Sequence, residues 1–76
     1  MKKAYRQETL EALVADQALR ECRAVRVDGG WSIQGRLVAS WRPVRSRREM
    51  VRVWASLTAL ERFCVKVGIK QLVVEL

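Results

Sequence analysis

Cys22-Arg23-Ala24-Val25-Arg26-Val27 runs through Asp28-Gly29-Gly30 into Trp31-Ser32-Ile33-Gln34-Gly35-Arg36-Leu37, and this stretch sets the character of the chain. On the near side Val25 and Val27 alternate with Ala24 and Arg26, which is the period of a strand. On the far side Trp31, Ile33 and Leu37 point the same way. Between them glycines tolerate the positive φ of a tight turn, so Asp-Gly-Gly between two alternating runs predicts a β-hairpin.

Working outward toward the C-terminus, the alternation extends through Ala39 and Trp41 to Pro43. Proline has no amide hydrogen to give a neighbouring strand, so Pro43 marks an edge, a bulge or the strand's end. Arg45-Ser46-Arg47-Arg48 reads as a charged loop. Met50-Val51-Arg52-Val53-Trp54 is β-like again, rich in β-branched and aromatic residues. Ser56 is a good N-cap, and Leu57, Leu60, Phe63, Cys64 and Val67 form the apolar stripe of a helix that Gly68 closes. Ile69 to Leu76 reads as a last strand with Leu72, Val74 and Leu76 on one face. Met50 to Leu76 is therefore expected to be a strand-helix-strand crossover with its two strands paired in parallel.

Toward the N-terminus, Leu10, Leu13, Val14 and Ala18 recur at spacings of three and four, which predicts a helix from Gln7 to about Arg20. Glu8 and Glu11 near its start and Arg20 near its end agree with the helix dipole. Residues 1–6 are expected to be flexible. The chain thus reads as a single α+β domain over residues 1–76, of order α-β-β-(β)-β-α-β, with both helices on one face of a small twisted sheet.

At 76 residues the core is thin, since a chain this short buries only about 60% of its unfolded surface. Dimerisation is a natural way to add buried area. A hydrophobic fraction of 50% argues against disorder despite a net charge of +7. The basic N-terminus lacks the apolar stretch of a signal peptide, and no run approaches the ~18 apolar residues of a membrane span. Cys22 and Cys64, with no histidine in the chain, exclude a cysteine-histidine zinc site. Their spacing leaves a disulfide open, while their apolar surroundings point to small buried hydrophobes, in line with reduced thiols in the cytoplasm.

No catalytic constellation stands out. The carboxylates lie mostly beside arginines on polar faces, a serine or cysteine nucleophile has no histidine to activate it, and Gly29-Gly30 lies in a hairpin instead of opening a helix. No enzymatic activity and no cofactor are expected.

What does stand out is charge. Six of the eleven arginines fall between Arg36 and Arg52, where Glu49 is the only acid, so this window carries +5 of the +7. Arginine pairs bidentately with phosphate and stacks on flat rings. Arg36, Arg42, Arg45, Arg47, Arg48 and Arg52 are the expected phosphate contacts, with Trp41 as a stacking residue. Trp31 and Trp54 are expected in the core. A solvated basic face is the alternative use of the same residues.

The first helix, the strand running into Gly29-Gly30-Trp31, Val51-Arg52-Val53-Trp54, the helix with Leu57 and Leu60, and Gly68-Ile69 before an alternating strand together resemble the small ParC-type plasmid partition or stability proteins. These are unrelated to the topoisomerase subunit that shares the name. The resemblance covers roughly Thr9 to Val74 and implies an accessory role on plasmids and mobile elements. The leading expectation is a dimeric, cytoplasmic DNA-binding protein that sets an arginine-bearing β-hairpin in a groove. The competing one is an adaptor that binds a partition-complex protein through a strand edge or apolar patch.

Overall fold

In a computed structural model, which describes residues 4–76, β1 (Glu21–Val27) and β2 (Gly30–Arg36) pair antiparallel from Glu21↔Arg36 to Val27↔Gly30. Asp28 and Gly29 make the turn, with Gly29 at φ 86. The hairpin is thus formed where the sequence predicts it. β2 then runs into a bend at residues 37–39 and reverses into β3 (Trp41–Pro43), which pairs antiparallel with it at Gln34↔Pro43, Gly35↔Arg42 and Arg36↔Trp41. Alternation through Ala39 accordingly breaks, and Trp41 to Pro43 is a separate strand at the sheet's edge.

Two helices complete the α+β fold: α1 (Gln7–Ala15) and α2 (Leu57–Val67), with β4 (Val73–Glu75) last in the chain. The described strands form one mixed sheet of order β3-β2-β1-β4, in which β4 runs parallel to β1. The observed order α-β-β-β-α-β agrees with the expected one, with one strand, β3, between the β1–β2 hairpin and α2. Since β2 occupies one edge of β1, the other edge is the one that can accept β4. The parallel pairing therefore joins β4 to β1 and not to Met50–Trp54.

Residues 50–54 are not a strand. Trp54 alone pairs with Trp31, each amide donating to the other's carbonyl at 2.8 Å. The neighbouring positions on this edge of β2 are already used, because the Val44 amide donates to the Ile33 carbonyl and β3 takes residues 34–36. The last strand is likewise shorter than Ile69 to Leu76.

α1 ends at Ala15, well before Arg20. Gln17 takes a left-handed φ of 57 and the Ala18 amide folds back to the Leu13 carbonyl. The chain then extends, Leu19 packs over Gly35, and the Arg20 amide prolongs the β1–β2 ladder by donating to the Arg36 carbonyl. Arg20 is therefore no part of the helix's last turn. α2 keeps its expected limits. The Ser56 hydroxyl accepts from the Ala59 amide at 3.2 Å, and Gly68 closes the helix at φ 90.

Both helices cover the face of the sheet that carries Ala24, Ile33 and Trp31. Leu10 of α1 and Leu60, Phe63, Cys64 and Val67 of α2 join them in the core, with Val44 and Trp54 from the connections. Leu10, Ile33, Val44 and Leu60 are fully buried. Each such side chain contributes about 1.5–3 kcal/mol relative to exposure. Val25 and Val27 lie on the opposite face and are only half-buried. Trp31 and Trp54 are core residues, and Trp54 meets Phe63 at 4.9 Å between ring centroids. Residues 1–3, part of the expected flexible start, lie outside the described residues. Tyr5 is buried, and its amide and carbonyl bond to the Pro43 carbonyl and the Arg45 amide at 2.8 Å each.

Candidate nucleic-acid interface

The seven residues marked out in the sequence do not form one surface; strand alternation and the turn after β3 divide them into three places. Arg36 and Trp41 share the row Glu21↔Arg36↔Trp41, on the sheet face turned away from the helices. There the Arg23 guanidinium lies 3.9 Å over the Trp41 ring and that of Arg36 lies 5.6 Å from it. Arg36 donates to the Glu21 carboxylate and the Val38 carbonyl. Arg23 donates to Gln34 Oε1 at 2.8 Å and to Glu75 Oε1 at 3.3 Å.

Two arginines and two carboxylates thus balance around a half-buried indole whose ring already carries a guanidinium. Desolvated cation–π contacts contribute up to about 2 kcal/mol, less where solvent reaches them. The grouping joins β4 to β1 through Glu75 and Arg23, which is a structural use of Trp41's surroundings. Arg26 is similarly set over Trp31, at 4.7 Å.

Arg42 alternates to the opposite face of β3, beside Tyr5. Burial pushes the Tyr5 hydroxyl above its usual pKa of 10.0, while the Arg42 charge opposes that rise and Cys22 adds to it. The Tyr5 hydroxyl and the Ser32 hydroxyl are buried with no hydrogen-bond partner among the described residues.

The third place is a cleft of about 700 Å³ between the start of α1 and the turn after Val44. Arg45, Arg47 and Arg52 line it together with Arg6, opposite Glu8 and Glu11. The turn is closed on itself: the Ser46 amide donates to the Glu49 carbonyl, and the Glu49 amide donates back to the Ser46 hydroxyl, both at 3.0 Å. Arg47 and Arg48 stand exposed upon it. Arg52 is held at 4.7 Å over Trp54 and 5.0 Å over Phe63, so its guanidinium rests on the buried aromatic pair. Arg45 Nε donates to the Ser46 carbonyl at 3.2 Å.

The ion pairs among the described residues are Arg23–Glu75 and Arg36–Glu21, so none of the cleft's arginines is spent on one. Arg6 and Arg23 lie outside the arginine window, and composition gave Arg6 no prominence. Arg6 reaches the cleft through the parallel pairing of Tyr5 with Val44, a long-range contact with no local signal. Arg23 could have been placed beside Trp41 only from the register of three strands.

Both cysteines are free and buried. Burial is the main reason that Cys64 is pushed up to about 11 and Cys22 is raised as well. No helix among the described residues is long and apolar enough to cross a membrane. The chain matches no protein-family model, no curated protein and no solved structure with which it was compared.

Proposed function

We propose that this protein binds DNA by its phosphates, as a non-enzymatic accessory protein in plasmid partition, stability or regulation. The observation that carries the reading is the convergence of Arg6, Arg45, Arg47 and Arg52 on one cleft, without ion pairs among the described residues and with Arg48 exposed on the adjoining turn. Guanidinium forks in that state suit phosphate oxygens. Phosphate contact, more than groove readout by a hairpin, is the mechanism this favours. The tip of the β1–β2 hairpin is Asp28-Gly29, while Arg36, beside the turn of the β2–β3 hairpin, is paired with Glu21. Membership of the ParC-type family belongs to the same proposal, on the short motifs around Gly29-Gly30-Trp31, Val51–Trp54 and Gly68-Ile69. So do a cytoplasmic setting with reduced thiols, the absence of a cofactor and a homodimeric state.

Titrating the protein against a duplex at several salt concentrations tests the reading, because released counterions give log affinity a steep negative slope against log salt. Size-exclusion chromatography with light scattering on the same sample reports whether the binding unit is a dimer.

One observation favours a second reading, the protein-interaction adaptor. β4 lies at the sheet's edge, and Val73 and Val74 are 54% and 42% exposed, beside a Leu76 that is 99% exposed. Such an edge offers backbone groups and apolar surface to a partition partner. An adaptor of this kind binds with little dependence on salt and has negligible affinity for nucleic acid at physiological ionic strength.

A further inference from the structure

We infer that the cleft between the start of α1 and the turn of residues 45–52 is a site for linked phosphates, gripping successive phosphoryl groups by their oxygens with no contact to a base. This rests on the reading above for its natural occupant, a phosphodiester backbone. It narrows that reading to recognition blind to base identity, a chemistry shared with inorganic polyphosphate.

The lining is polar throughout: Arg6, Arg45, Arg47 and Arg52, with Glu8 and Glu11, and with Gln7 and Ser46 between them. Pockets that hold a ring system are mainly apolar with aromatic walls. Here no aromatic side chain lines the cleft among the described residues, and the donors are guanidinium groups. The ligand class is therefore set by charge and oxygen geometry.

Charge balance selects the multiplicity of the anion. Four guanidinium groups around about 700 Å³ repel one another, and two carboxylates offset only half of that charge. Glu11 is moreover engaged along its own helix, accepting from Gln7 Nε2 at 3.1 Å. An anion with two or more charges completes the balance, whereas a monoanion leaves it short.

The arginines are also prepared for the task. Arg52 is immobilised against Trp54 and Phe63, and Arg45 is anchored through Nε, which leaves its two terminal nitrogens to donate. Arg47 projects from a turn closed by two hydrogen bonds. Side chains restrained before binding lose less freedom on meeting a ligand. Because the restraints come from the aromatic core and the Ser46–Glu49 turn, the geometry is present without the ligand.

The probe is sodium tripolyphosphate, titrated calorimetrically into the full chain at low ionic strength. The expected result is one saturable site, together with a Tm that rises with ligand concentration. Arg45→Gln and Arg47→Gln should each weaken it roughly tenfold, the loss of one charge-assisted contact. Arg20→Gln and Arg62→Gln, outside the cleft, should leave it unchanged. Arg47 is exposed, so its variant carries the test if Arg45→Gln does not fold.

In a second arm, single-stranded and duplex DNA are bound by the same variants and challenged with tripolyphosphate. Displacement of both, with the same two arginines required, supports the inference. DNA binding that neither variant weakens and tripolyphosphate does not displace overturns the cleft but leaves the nucleic-acid reading standing. Saturable tripolyphosphate binding without affinity for DNA overturns that reading and leaves a polyphosphate site. No binding of either probe overturns both.

Discussion

Gly30 occupies a position that only glycine can fill. Its φ is 151, and a Cβ added there would meet the Trp54 carbonyl oxygen at 2.1 Å, a backbone atom that cannot step aside. Gly30→Ala should break the Trp31–Trp54 pair and destabilise by at least about 2 kcal/mol in urea titrations. Leu60, fully buried under α2, gives a second residue-scale test. Leu60→Ala should cost roughly 2–5 kcal/mol, and a loss under about 0.5 kcal/mol would show that the core is not where it has been described. The thiols give a third. Burial raises Cys64 from 9.0 to about 11 and raises Cys22 in the same direction, so the fold favours the neutral thiol. That stabilisation is complete below the unfolded pKa and is lost as pH climbs from near 9.0 toward about 11. Stability measured across that range should therefore fall as pH rises, and a flat profile would contradict the buried placement of the two cysteines.

At the scale of elements, α2 shows what a sequence reveals well. Ser56, the stripe through Leu60 and Val67, and Gly68 are local signals, and each acts as its chemistry demands. Ser56→Ala should cost about 0.5–2 kcal/mol and Ser56→Gly only a few tenths, a comparison by thermal melting that isolates the cap's hydroxyl. The β1–β2 hairpin was legible for the same reason, since its turn and its alternation lie side by side in the chain. Met50–Trp54 was misread because β propensity reports fitness for a pleated surface, not the presence of a free neighbouring edge. Val44 and β3 had already taken most of the β2 edge, and no property of residues 50–54 discloses that. α1 was overextended because Ala18 fits the helical period, while the left-handed turn at Gln17 answers to the need to lay Leu19 on Gly35. The candidate site was legible as composition only. Arg45, Arg47 and Arg52 were visible as charge, but their union with Arg6 depends on a pairing between Tyr5 and Val44 that no local pattern records.

For the whole molecule, the sheet separates two uses of arginine. On its outer face Arg23 and Arg36 are balanced by Glu75 and Glu21 around Trp41. At the start of α1 the cleft gathers Arg6, Arg45, Arg47 and Arg52 against Glu8 and Glu11, which leaves two positive charges in excess, with none of these arginines in an ion pair among the described residues. Uncompensated charge costs stability through self-repulsion, which a polyanionic partner relieves. The most direct test is the salt dependence of DNA binding by the parent protein and by a variant carrying Arg45→Ala, Arg47→Ala and Arg48→Ala together. These side chains project from the turn that follows Val44, away from the fully buried core, so folding should survive and circular dichroism should match the parent. The account predicts weaker binding to every sequence and a slope of log affinity against log salt flatter by up to about 3 units. An unchanged affinity and slope in the folded triple variant would contradict it.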